Sequence, residues 1–122
     1  MAHSDFNTKF AERTKQLAIA IVRWYAALRK KNDEVRILGK QLIRSTTSTA
    51  ANFRASCRAR SSAERFAKLS VVVEEIDETV FWLELFQEIE LVNTERLSSF
   101  QQEALEILKV MASTRKKLKI KE

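Results

Sequence analysis

Apolar residues recur along this 122-residue chain at steps of three and four, which is the period of an α-helix. Four such segments follow one another, over residues 5–30, 34–59, 62–90 and 95–117. The predicted connections are about two to five residues long, and short connections make consecutive helices antiparallel neighbours. The pattern therefore predicts an all-α protein, a single domain over residues 1–122 that folds as an up-down-up-down four-helix bundle.

Each predicted helix presents one inward face. In the second helix this face changes from leucine-rich to small and hydroxylic over residues 45–51, which would let a neighbouring helix approach closely. Gly39 lies in the same helix, where glycine costs about 1 kcal/mol relative to alanine, and we attribute it to close packing. The predicted inward positions are Phe6, Phe10, Leu17, Ile21, Trp24 and Leu28, then Val35, Leu38, Leu42, Ser45, Thr46, Thr49, Phe53 and Ser56, then Phe66, Leu69, Val73, Ile76, Val80, Leu83 and Gln87, and finally Leu97, Phe100, Ala104, Ile107, Met111 and Leu118.

Polar residues mark the predicted helix ends. Asp33 is expected to cap the second helix, and Ser61 with Glu64 forms a Ser-x-x-Glu capping box ahead of the third. One glycine and no proline in the whole chain agree with long helices and few tight turns. Residues 115–122 form a strongly basic tail that is expected to fray at the end of the fourth helix.

Charge is sorted along the chain. Residues 1–60 carry a net charge of +9, residues 61–108 carry −8, and residues 109–122 carry +5. Such sorting predicts helices of opposite sign, which can pair inside the bundle or between subunits. The carboxylates of the third helix are interpreted either as a solvated face or as partners of arginines on the second helix or on another subunit. They are Glu74, Glu75, Asp77, Glu78, Glu84, Glu88 and Glu90.

Five cations of the second helix fall within one arc of about 80°, opposite its inward face, with Thr47 and Ala51 between them. Such a row could track the phosphates of RNA or DNA, or it could be solvated or pair with another subunit. No recognition-helix motif is present, so binding would follow charge and shape more than sequence. The candidate nucleic-acid-binding residues are Arg36, Lys40, Arg44, Arg54, Arg58, Arg115, Lys116 and Lys117.

The third helix is apolar over a wider arc than one bundle can bury. This surplus predicts a second interface and hence a homo-oligomer. The candidate interface residues are Phe81, Trp82, Leu85 and Phe86.

No catalytic, cofactor or metal site is predicted. The single histidine, His3, lies near the N-terminus, and no Glu-x-x-His pair exists for a di-metal site. The single cysteine, Cys57, has no histidine to activate it, and one glycine cannot build a phosphate-binding loop. One cysteine and no long apolar run lead us to expect a cytoplasmic protein without disulfides or a membrane segment.

Three stretches resemble a known bacterial family, and the middle one, residues 58–61 with Phe66, Lys68 and Leu69, is similar to its second turn and the start of its third helix. Residues 45–55, which read STTSTAANFRA, are similar to the second-helix signature of the four-helix-bundle family of 23S rRNA-intervening sequence proteins. Residues 74–84, which read EEIDETVFWLE, resemble its acidic, tryptophan-containing third helix. Many members carry Pro, Ile and Glu-Gly near positions 50–56, where this chain has Ala50, Phe53, Ala55 and Ser56, as in a variant subgroup.

The resemblance implies an antiparallel bundle that assembles as a homopentamer around a central channel, with no known enzymatic activity. Some relatives are encoded within insertions in rRNA genes. Others are accessory variability determinants of diversity-generating retroelements, which bind the reverse transcriptase and nucleic acid. The resemblance also implies structural roles for Asn52, Glu75 and Glu78.

The leading interpretation is therefore a non-enzymatic oligomeric bundle that binds RNA or DNA. The alternatives are a protein–protein adaptor, for example for a reverse transcriptase, and a purely structural homo-oligomer.

Overall fold

The chain forms four long helices in the computed structural model, which describes the backbone of residues 2–93 and 95–120 and the side chains of residues 5–93 and 95–118. The helices are α1 (Ala2–Ala26), α2 (Asp33–Cys57), α3 (Ser62–Ile89) and α4 (Glu95–Ile120). Each helix packs on the next, and α1 also meets α4, more sparsely. The described residues form no strand, and the predicted all-α, four-helix architecture is confirmed.

Three helix ends differ from the prediction. The first helix ends at Ala26 rather than near residue 30, because the chain tightens into a turn in which the amide of Leu28 donates to the carbonyl of Tyr25 at 3.2 Å. The second helix ends at Cys57 rather than at residue 59. The fourth helix continues through residues 115–120, which were expected to fray, and Leu118 is anchored there at 8% exposure. Residues 121–122 of the predicted tail lie outside the described residues.

Side-chain caps begin α2 and α3. Asn32, not Asp33 as expected, caps α2: its backbone is extended and its Oδ1 accepts from the amide of Val35 at 2.9 Å, whereas Asp33 is already helical. The predicted cap of α3 is confirmed, because Ser61 Oγ accepts from the amide of Glu64 at 3.1 Å. The carboxylate of Glu64 accepts from the amide one residue before the cap, at 3.3 Å.

The inward faces of α2 and α4 are those predicted. Every expected position of α4 is buried, and in α2 only Leu38 remains partly exposed. The face of α3 differs. Its seam keeps Leu69, Ile76, Val80 and Leu83 as expected, but Phe66, Val73 and Gln87 are only half-buried. Val72 and Phe86, each one residue before an expected position, are buried instead, and Thr79 is buried next to Val80.

A buried pair of hydroxyl groups joins α2 to α3. Thr79 Oγ1 lies 2.9 Å from Ser45 Oγ, and Ser45 donates to the carbonyl of Leu42 at 3.1 Å. Both side chains are 0% exposed. Thr79 Oγ1 also lies 2.9 Å from the carbonyl of Glu75 in its own helix. The contact places Ser45 level with Thr79 and so defines the offset between α2 and α3 along the bundle axis.

One ion-pair network closes the sparser seam between α1 and α4. Arg13 donates to Glu103 at 2.6 and 3.0 Å and to Glu106 at 3.1 Å. The hydrogen bond to Glu103 is the main reason that the pKa of Arg13 is raised above its ordinary value.

The close approach expected at Gly39 is present. A Cβ atom added to Gly39 would lie 2.1 Å from Cε1 of the Tyr25 ring, which is far closer than two carbon atoms can come. Helix α1 therefore places an aromatic ring directly on the backbone of α2.

We expect Gly39→Ala to lower the free energy of unfolding by about 1–3 kcal/mol, because the Tyr25 ring must move and overpacking outweighs the helix propensity gained. In a Tyr25→Ala background the same change should instead stabilise the protein, by up to about 1 kcal/mol. Urea unfolding of the four proteins measures both effects. Equal destabilisation in the two backgrounds would contradict the proposed contact.

Candidate nucleic-acid interface

The cations predicted as one stripe on α2 lie in three different surroundings. Arg44 faces α3, where it donates to Glu75 at 3.0 and 3.3 Å and to Glu78 at 2.5 Å. The side chain of Glu75 is only 13% exposed, so this pair is partly shielded from water. Arg44 is therefore a poor phosphate contact, because a polyanion would have to compete with two carboxylates.

Arg36 and Lys40 lie on the outer surface of the first half of α2. Arg36 contacts Asp33 at 3.3 Å, but both side chains are highly exposed, and such a pair contributes little to stability. Lys40 is exposed and pairs with no carboxylate among residues 5–93 and 95–118.

Arg54 and Arg58 lie at the other end of α2. They line a groove of about 700 Å³ between α1 and α2, whose other lining residues include four alanines, Ala11, Ala18, Ala50 and Ala51. Within the described part of the chain neither arginine pairs with a carboxylate. Thr47 and Ala51, predicted between the cations, line the same groove.

The basic segment of α4 reaches the same end of the bundle as Arg54 and Arg58. Antiparallel packing brings the start of α1, the end of α2, the start of α3 and the end of α4 together, as the 6.2 Å separation of the Phe6 and Phe53 rings shows for the first two. Lys116 and Lys117 are exposed there, and Arg115 is half-buried. The fold thus places the cations near the end of α2 beside those of the C-terminal basic segment.

We call this region the basic end and define it as residues 5–9, 51–68 and 112–118. It holds nine Lys or Arg residues and two carboxylates. The opposite end, residues 20–40 and 83–101, holds seven Lys or Arg residues and six carboxylates. The bundle is therefore electrically asymmetric along its axis, although its outer surface carries both signs of charge.

Four cations of the basic end were not predicted from the sequence: Lys9, Arg60, Arg65 and Lys68. Arg60 belongs to the α2–α3 connection and has a 90% exposed side chain, with Glu64 at 3.7 Å. Lys68 is half-buried, and Arg65 is tied down by bonds to Asn7 Oδ1 at 3.2 Å and to the carbonyl of Ser56 at 3.5 Å. They were missed because they lie on different elements and form no periodic row.

The four apolar residues predicted as an oligomer interface differ in their exposure to solvent. Phe81 is 49% exposed, and Trp82 and Leu85 are half-buried beside it. The inclusion of Phe86 was wrong. It is 0% exposed and packs edge-on against Trp24 at 5.5 Å, so another subunit cannot reach it.

Asn52, given a structural role by the resemblance, donates to the carbonyl of Ser48 at 2.9 Å and to its hydroxyl at 3.1 Å. In the part of the chain that the structure describes, no three His, Cys, Asp or Glu side chains are grouped as metal ligands. None of the described helices is long and apolar enough to cross a membrane.

Comparisons with known proteins agree with this architecture. A family model described as 23S rRNA-intervening sequence protein matches residues 7–113. The chain is 31% identical to a protein of unknown function from the S23 ribosomal protein family of Bacteroides thetaiotaomicron VPI-5482, whose crystal structure was determined at 1.70 Å. The two folds agree with a TM-score of 0.78 over 90% of this chain and 97% of that one. No curated protein matches the sequence.

Replacing Arg44 by alanine should lower the free energy of unfolding by about 1–2 kcal/mol, because the largely buried Glu75 loses its cation. The loss should be smaller when Glu75 is first changed to glutamine. Arg54→Ala, on the same helix but without a carboxylate partner in the described chain, should stay within about 0.5 kcal/mol of the parent. Urea unfolding measures all of these, and equal effects of the two arginine changes would contradict the assignment.

Burial raises the pKa of the Cys57 thiol, and this outweighs the opposing effect of Arg65, Ser56 and Arg58. Because the thiolate is the reactive form, iodoacetamide at pH 8 should alkylate folded Cys57 several-fold more slowly than the same residue in the unfolded chain. The difference in alkylation rate between the folded and the unfolded chain should become smaller as the pH rises through the raised pKa of Cys57. Alkylation rates measured from pH 7 to 11 test this, and faster reaction in the folded protein would contradict it.

Proposed function

This chain belongs to the 23S rRNA-intervening sequence protein family, and we propose that it is a non-enzymatic, homo-oligomeric bundle that binds structured RNA or DNA by charge and shape. The family assignment confirms the resemblance seen in the sequence. The pentamer and the link to retroelements and their reverse transcriptases, which that resemblance implies, stay predictions.

The observation that supports nucleic-acid binding most strongly is the excess of positive charge at the basic end. Cations from α2, α4 and the α2–α3 connection converge there against only two carboxylates, Asp5 and Glu64. A local excess of one sign attracts a polyanion, and Lys and Arg contacts to phosphates release bound counterions. The opposite end, with nearly balanced charge, offers no such attraction.

The shape of the basic end favours phosphate contacts over base contacts. The cations project from helix ends and from a short connection, rather than from one exposed helix that could enter a major groove. Arg60 and Lys117 have long, exposed side chains that can follow a phosphate backbone without reading its sequence.

The state of Cys57 argues against nucleophilic catalysis by this thiol. It is the one thiol of the chain, and a raised pKa keeps it protonated near neutral pH. A nucleophilic cysteine requires the opposite shift, which a nearby base or cation usually provides.

The basic end is tested by reversing charge at one end of the bundle and then at the other. We expect Arg58→Glu/Arg60→Glu to weaken binding of an RNA hairpin and of duplex DNA at least tenfold near 0.1 M salt. The slope of log Kd against log salt concentration should fall by about two, because about two phosphate contacts are lost. Lys116→Glu/Lys117→Glu, on another helix of the same end, should act similarly. Fluorescence anisotropy at several salt concentrations gives both quantities.

The matched control is Arg29→Glu/Lys30→Glu, which changes net charge equally but alters exposed residues at the opposite end. It should change Kd by less than about threefold. Circular dichroism establishes that every variant folds. Equal losses of affinity in all three variants would show that binding depends on net charge and not on the basic end. Absence of binding by the parent protein would overturn the nucleic-acid part of the proposal.

A further inference from the structure

The groove between α1 and α2 opens at the basic end and runs toward the middle of the bundle. Asn7, Thr8 and Arg58 lie at its mouth, and Ile19 and Thr47 lie at its far end. From Thr47 to Arg58 helix α2 rises by about 16 Å, which sets the length of the groove. An elongated ligand in this groove would therefore reach from the cations of the basic end along the side of the bundle.

Three exposed cations follow one another along the groove. Arg58 lies at the mouth, Arg54 lies one turn farther along α2, and Lys15 lies on the facing wall, on α1. None of them pairs with a carboxylate among residues 5–93 and 95–118. Glu12, the one carboxylate among the described lining residues, accepts from Gln16 at 2.7 Å. The groove therefore continues the positive charge of the basic end.

The dimensions of the groove favour an unpaired strand over a duplex. The axes of two packed helices lie about 8–10 Å apart, whereas the major groove of B-DNA is by itself about 12 Å wide. A single strand can lie between the two helices, because small alanine side chains leave room there, but a complete duplex cannot. No aromatic side chain is among the described lining residues, so binding would depend on phosphates more than on base stacking.

We propose that this groove holds an unpaired strand that continues from a duplex bound at the basic end. The phosphates of that strand contact Arg58, Arg54 and Lys15 in turn. The preferred substrate class is then a hairpin or duplex with a single-stranded tail. The inference rests on the proposed nucleic-acid binding, and it adds which form of nucleic acid is bound and where its unpaired part lies.

Continuity with the basic end favours a nucleic-acid strand over an acidic helix of another protein as the occupant. Arg58 belongs both to the basic end and to the groove, so a polyanion held at the basic end reaches the groove without a break. The paired and unpaired parts are covalently joined, so binding of the first raises the effective concentration of the second.

An RNA hairpin with and without a single-stranded tail tests the inference. We expect the parent protein to bind a hairpin with a tail of about six nucleotides at least fivefold more tightly than the blunt hairpin, near 0.1 M salt. The tail should also steepen the slope of log Kd against log salt concentration by about 1.4, because Arg54 and Lys15 each contact one further phosphate. Fluorescence anisotropy measures both quantities.

Two variants of the groove should remove most of the affinity gained from the tail. Lys15→Glu places a carboxylate beside the strand, and Ala51→Leu fills the groove without changing its charge. Lys15→Glu should bind the blunt hairpin within about threefold of the parent, because Lys15 lies outside the basic end. The matched control is Arg23→Glu, which alters an exposed cation of the same helix outside the groove and should keep the gain. Circular dichroism establishes that each variant folds.

The outcomes separate the inference from the proposed function. A parent protein that binds neither hairpin would overturn both. Equal affinity of the parent for the two hairpins would overturn the inference alone. A gain from the tail that survives both Lys15→Glu and Ala51→Leu would also overturn it, because the tail would then lie elsewhere.

Two further measurements test other occupants of the groove. Poly-glutamate that displaces the tail as well as an oligonucleotide of equal charge would identify a site for an acidic protein segment. Dissociation of a parent oligomer by Ala51→Leu, seen in sedimentation velocity, would identify a contact between subunits. Either result would overturn the inference.

Discussion

The register between α2 and α3 is the constraint on which the other features depend. The buried contact of Ser45 with Thr79 and the shielded bonds of Arg44 to Glu75 and Glu78 fix it from the inside and the outside of the seam. A slip by one residue would separate the two buried hydroxyl groups, although each also bonds to a carbonyl of its own helix, and would leave the largely buried Glu75 without its cation. The small side chains of α2 are what allow the two backbones to approach closely enough for these bonds.

That register decides what each charge of the surface does. Arg44 neutralises carboxylates of its own chain, whereas the cations beyond it, at the end of α2, lie clear of α3 and join those of α4 at the basic end. One row of cations on one helix is thus divided between internal stability and a proposed phosphate surface.

Prediction from the pattern succeeded best in α2 and α4. In α4 all the expected positions are buried, although neighbours such as Leu105 and Leu108 are also apolar. In α3 adjacent apolar pairs such as Val72 and Val73 allow two seams, and the neighbours decided between them. Phe86 packs edge-on against Trp24 in the core and therefore does not lie on the surface where it was predicted. Local competition also decided the cap, since Asn32 and Asp33 are both good capping residues.

The sequence by itself determined the number of helices, their inward faces in α2 and α4, the capping box at Ser61, and the sorting of charge, because periodicity, propensity and composition are local properties. It could not determine which charges meet. The basic end combines residues more than fifty positions apart, and the pairing of Arg44 with α3 depends on how two helices slide against each other. Only packing sets those distances, because the buried contacts that fix them form between helices and not within them.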